Sequence, residues 1–125
     1  MVILFCRENK NLVLTLFFCI FASQYSTMRI ITKTTIKEYI ERNPQSKSAL
    51  SEWVEKTEKA EWHSLADIKK VFNSVDYVGN QHYVFNIKGN DYRLVVVVQF
   101  TPQYVFIRFI GTHAEYDRIK DIKNI

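Results

Sequence analysis

The run "YRLVVVVQF" (residues 92–100) limits what this chain can become more than any other stretch. β-branched residues suit the pleated surface of a sheet. A strand this apolar must be covered on both faces, so the run predicts a central strand. "HYVFNIK" (82–88) precedes it across the turn "GND", and "YVFIRFI" (104–110) follows it across "TPQ". Links this short make hairpins, so the three strands are expected to run antiparallel. Strict alternation in the last of them would put Tyr104, Phe106, Arg108 and Ile110 on one face and Val105, Ile107 and Phe109 on the other.

Upstream, the apolar period changes to that of a helix. "MRIIT" (28–32) is a short β-prone opening. Thr35 and Glu38 have capping-box spacing, and Ile36, Tyr39 and Ile40 follow at helical intervals. The Asn43–Pro44 pair ends that helix, and Pro44 suits the first turn of a second, in which Leu50, Trp53, Val54 and Thr57 share a face. Ser64 and Asp67 open a third, with Leu65, Ile68 and Phe72 as its apolar stripe. "KVFNSVDYVGNQ" (70–81) reads as turn chemistry. Thr112 and Glu115 repeat the capping-box spacing and start a short last helix, to about Lys120. The order β-α-α-α-β-β-β-α predicts an α+β fold: N-terminal helices on an antiparallel sheet of three to four strands, closed by a short C-terminal helix.

The first 27 residues differ from the rest. Arg7 and Lys10 precede the apolar run Leu12–Ala22. Three readings stand: a secretory signal, a membrane anchor that is short of the roughly 20 residues a span needs, or a mis-assigned start with Met28 as the first residue. From Met28 onward the sequence reads as a complete small domain, which favours the mis-assigned start. Both cysteines, Cys6 and Cys19, fall in the leading segment, so neither a disulfide framework nor a cysteine metal site is expected in the main body. His63, His82 and His113 lack metal-ligand spacing, and no cofactor is implied.

The net charge of +4 fits a polyanionic partner without requiring one. Arg93 and Arg108 lie within strands, where arginine must find a partner. Each is either ion-paired beneath the helices, with Asp91, Asp67 or Glu115, or free to hold a phosphate with its guanidinium fork. His113 and Tyr116 share a face at the start of the last helix. Either they merely pack and solvate, or they move protons, with neighbouring arginines lowering the tyrosine's pKa. Paired carboxylates and a signature nucleophile are missing. Cations with one His and one Tyr suit cleavage of RNA, in which the 2′-OH is the internal nucleophile.

"GNDYRL" (89–94) and "THAEYD" (112–117), separated by a strand hairpin, carry a resemblance. With "MRIIT" they make residues 28–120 resemble the HigB toxins of bacterial type II toxin–antitoxin systems, within the wider RelE-like fold. The resemblance implies a cytoplasmic, metal-independent and ribosome-dependent mRNA endonuclease that starts at Met28 and needs no membrane. It would cut in the ribosomal A site by 2′-OH attack, leaving a 2′,3′-cyclic phosphate and a 5′-OH. By the same resemblance, Arg93 holds the scissile phosphate and Arg108 is a second phosphate ligand. His113 stands where relatives keep a transition-state-stabilising arginine, and Tyr116 stands near their catalytic tyrosine. Lys88, Lys69, Lys70, Lys120 and Lys123 are the expected RNA contacts. The implied partners are a HigA-type helix-turn-helix antitoxin, the message and ribosomal RNA. One departure leaves the general base open. Relatives carry lysines on the strand before "YR", whereas this chain has only Lys88, at another offset, with Asn86 nearer the place. His113 is then a candidate base, and the alternative is a weak or inactive module that binds RNA or the antitoxin.

Overall fold

A computed structural model describes residues 27–125. The leading segment, and with it the signal, anchor and mis-assigned-start readings, lies outside the described residues except for Thr27.

Strand β1 (Arg29–Ile31) leads into α1 (Lys33–Arg42). A 3₁₀ turn at Pro44–Ser46 joins α1 to α2 (Lys47–Lys59), and α3 is Leu65–Val71. The strands β2 (Asp76–Gly79), β3 (His82–Ile87), β4 (Tyr92–Phe100) and β5 (Gln103–Thr112) follow. Helix α4 (His113–Asp117) and a 3₁₀ turn at Ile122–Asn124 end the chain. The sheet order is β1-β5-β4-β3-β2.

The α+β class stands, with two corrections to the sheet. Among the described residues it has five strands rather than three to four, because "DYVG", read as turn chemistry, pairs antiparallel with β3 as an edge strand. It is also mixed: β1 pairs parallel with β5, reached by way of the helices. A third correction concerns α1. It starts at Lys33, and Thr35 caps nothing. The chain leaves β1 through Thr32, whose φ of 67° makes the reversal in one residue. The helix therefore begins before the capping-box spacing at Thr35–Glu38 can act.

The larger core lies between the helices and one face of the sheet. Tyr83, Phe85 and Ile87 of β3 and Leu94, Val96 and Val98 of β4 alternate into it. Trp53, Trp62 and Phe72 gather around Phe85, with ring centroids 5.2–6.4 Å apart. The residues between them point to the opposite, outer face. There Val84, Val95, Val97 and His82 are also buried, yet they stand apart from that core. As the valine run predicts, β4 is central and covered on both sides.

Candidate nuclease site

The site forms where β3, β4 and β5 reach the end of the sheet that α4 closes. Arg93 lies opposite Asn86 of β3 and opposite Gly111 of β5, so all three share the outer face. Gly111 is crowded by two side-chain ends, so a larger residue there would have to displace them. A Cβ there would come within 2.5 Å of the Phe109 ring and 2.7 Å of Glu115 Oε1.

The predicted cap at the start of α4 is present. Thr112 N–H donates to Glu115 Oε1 (2.8 Å), and Glu115 N–H donates to Thr112 Oγ1 (3.2 Å). His113 N–H donates to the Asp91 carbonyl in the β3–β4 turn at 3.2 Å. Cap and turn thus fix where the helix leaves the sheet. Five helical residues then place two side chains. Tyr116 comes to Arg93, whose guanidinium carbon lies 5.9 Å from the centre of its ring. His113 Nδ1 lies 2.8 Å from Asp117 Oδ2, one turn on.

Among the described residues, neither Arg93 nor Arg108 forms an ion pair with Asp91, Asp67 or Glu115. Glu115 is engaged in the cap, and Asp67 accepts from His63 N–H at 2.9 Å. Arg93 is half-buried, and Nη1 makes only long bonds, to the Asn90 and Tyr92 carbonyls at 3.4 and 3.3 Å. Its fork is left to bind something else.

Arg108 is corrected in position. Val95 pairs with Phe109 and Val96 with Ile107, so Arg108 is the extra residue of a β-bulge. The bulge breaks the strict alternation and sends Ile110 to the helix face beside Leu94. Arg108 is exposed, three residues from Gly111, or about 10 Å along the strand. It is not gathered with Arg93, His113 and Tyr116.

The lysines are dispersed. Lys88 is exposed in the β3–β4 turn, next to the site, with φ 54°. Lys120 is exposed just beyond α4. Lys69 and Lys70 lie in the last turn of α3, and Lys70 reaches Asp67 at 3.7 Å. Lys123 is at the far end, against Gly79. Asn86, Asp117 and Asp76 also lie at or near the site. Asn86 stands near the place of the relatives' lysines, Asp117 is marked by its i,i+4 spacing from His113, and Asp76 has no local signal.

Burial raises the Tyr116 pKa, and it outweighs Arg93, which lowers it; Asp76 and Asp117 push upward as well. Arg93 acts in the expected direction, but the net shift is upward rather than downward. Tyr116 keeps its proton, as a hydrogen-bond donor or acid must. Burial is also the main cause of the raised values of Tyr39 and Tyr83. A raised phenol pKa gives stability that is whole below the ordinary value of 10.0 and is lost as pH climbs through the raised values. In an alkaline titration, circular dichroism should stay flat to about pH 10 and fall beyond it, in step with phenolate absorbance.

Among the described residues, no three His, Cys, Asp or Glu side chains gather where a metal ion could be held. No helix there is long and apolar enough to cross a membrane.

The profile of a family described as HigB_toxin, RelE-like toxic component of a toxin-antitoxin system, matches residues 46–119. The mRNA interferase toxin HigB of Escherichia coli (strain K12) is 38% identical over 93 residues, covering 72% of this chain and 88% of the relative. The mRNA interferase HigB of Shigella flexneri gives the same figures. The mRNA interferase HigB of Escherichia coli O6:H1 is 26% identical over 94 residues, covering 74% and 91%.

Proposed function

Since this chain belongs to the HigB family of RelE-like toxic components of toxin–antitoxin systems, we propose that it cleaves messenger RNA with the groups around Arg93. The observation that carries this reading is the meeting of Arg93, Tyr116 and the His113–Asp117 pair at one end of the sheet.

Each group has a part its geometry allows. The Arg93 fork takes two non-bridging oxygens of the scissile phosphate and offsets the charge that grows there. Asp117 accepts the Nδ1 proton of His113, which turns the Nε2 lone pair outward as a base. Nε2 removes the 2′-OH proton, and the 2′-oxygen attacks phosphorus. The P–O5′ bond breaks, and the leaving oxygen takes a proton from Tyr116. The products are a 2′,3′-cyclic phosphate and a 5′-OH. His113 thus fills the place left open by the missing lysines, and Asn86, opposite Arg93, is placed to hydrogen-bond the substrate. Arg108 and the lysines would contact RNA flanking the cut.

The remaining expectations belong to the same reading. The toxin domain is residues 28–125, acting in the cytoplasm on messages in the ribosomal A site. Its antitoxin is of the HigA type with a helix-turn-helix domain. The test is a pair of substitutions assayed on ribosome-bound message. His113→Ala should lower kcat by about 10²–10⁴-fold, the range of a general base. Asp117→Asn should lower it less, by disturbing the ring's orientation. Unchanged kcat in both would remove the pair from the reaction.

A further inference from the structure

Helix α4 fully buries none of its five residues, and only Tyr116 and the cap at its start tie it closely to the sheet. The chain beyond Asp117 bears on its other end. The chain after it runs from the Arg93 end of the sheet to the opposite end. There Asn80 Nδ2 donates to the Lys123 carbonyl at 3.0 Å. His82 Nε2 lies 3.2 Å from the Ile125 carbonyl oxygen, and Nδ1 lies 2.7 Å from the carbonyl of Asn80. The ring therefore sits between the β2–β3 turn and the tail, donating to one of the two oxygens when neutral and to both when protonated.

This bridge is not a surface accident. His82 is only 4% exposed, on the outer face with Val84, Val95 and Val97. The Lys123 side chain lies against Gly79, and Asn124 Nδ2 donates to Asp121 Oδ2 at 2.6 Å, which stiffens the last turn. Ile119 and Ile122, between α4 and the pins, are half-buried. The tail is a strap. It is fastened about 14 Å from Arg93, counting four strand residues from Asn86 to His82. Tyr116 hangs between the cap and the fastening.

We propose that His82 and Asn80 are positioning residues for the nuclease: by fastening residues 122–125 they hold Tyr116 against Arg93. The inference rests on the site assignment above, in which Tyr116 donates the proton to the leaving oxygen. Neither residue touches the substrate, so both act on turnover rather than on binding.

The full-length chain carries the test. Asn80→Gly removes one pin and suits the backbone, because Asn80 has φ 51°. His82→Ala removes the other, and His82→Gln keeps a donor that can reach the tail. Two readouts are taken on each variant: steady-state cleavage of ribosome-bound message, and the NMR contact between the Tyr116 ring and the Arg93 side chain. In Asn80→Gly and His82→Ala the contact should weaken and kcat should fall about ten- to a hundredfold, the scale of a misplacement near 1 Å. KM should hold, and His82→Gln should recover part of both signals. An intact contact in the folded Asn80→Gly protein overturns the inference, even if His82→Ala fails to fold. A lost contact with kcat unchanged supports the fastening and instead removes Tyr116 from the reaction, which overturns the site assignment.

Discussion

Replacing Arg93 by alanine is expected to abolish most message cleavage, with a loss on the order of 10²–10³ in kcat, the usual cost of removing one group that stabilises transition-state charge. The magnitude follows from what the side chain does in the resting protein. It forms no ion pair among the described residues, and its two main-chain bonds are long. Stability should therefore change little, by about 1 kcal/mol or less, since exposed or weakly bonded positions carry small effects. Arg93→Lys keeps the charge but loses the bidentate fork. It should recover only part of the activity. Rapid-quench cleavage and thermal melts on the same samples separate the two effects. A fall in stability that matches the fall in activity would make Arg93 a structural residue.

Phe85→Ala should give the largest loss of stability. The ring is 1% exposed at the centre of Trp53, Trp62 and Phe72, where it joins the sheet to α2 and α3. Truncating a buried phenylalanine typically costs about 3–5 kcal/mol, which combines lost transfer energy with an unfilled cavity. Domains of this size are stable by only about 5–15 kcal/mol. Tm should fall by roughly 15–30 °C, measured by calorimetry or by tryptophan fluorescence. Phe85→Leu, which retains most of the volume, should cost clearly less. Equal losses for the two would mean that aromatic packing is not what this position supplies.

The parts legible in the sequence were those set by local chemistry. The valine run fixed β4 as central, the hairpin links fixed its neighbours, and Thr112 with Glu115 fixed the start of α4. The misses are positions where a distant partner decides. Strand β2 has two exposed residues, Asp76 and Tyr77, and only half-buried ones after them, so it left no burial pattern to read. The capping-box spacing at Thr35 was real but idle, because the reversal at Thr32 already starts α1 at Lys33. Arg108 sits in a bulge that only the pairing of β5 with β4 reveals.

The site divides in the same way. His113, Tyr116 and Arg93 could be named from residue type and the resemblance. That Tyr116 lies over Arg93, and that Asn86 stands beside it, depends on strand register. Asp117 was within reach of the helical spacing, and it supplies the partner that makes His113 a plausible base geometry. The fastening by Asn80 and His82 joins residues 43 apart in sequence, beyond any local pattern.

The central claim is that protein side chains at the α4 end of the sheet drive 2′-OH attack on the message. Its most direct test is the chemistry of the RNA ends left by the wild-type protein on ribosome-bound message. The account predicts a 2′,3′-cyclic phosphate on the upstream fragment and a 5′-OH on the downstream one, with both products lost together in Arg93→Ala. Fragments that end in a 3′-OH and begin with a 5′-phosphate would contradict it.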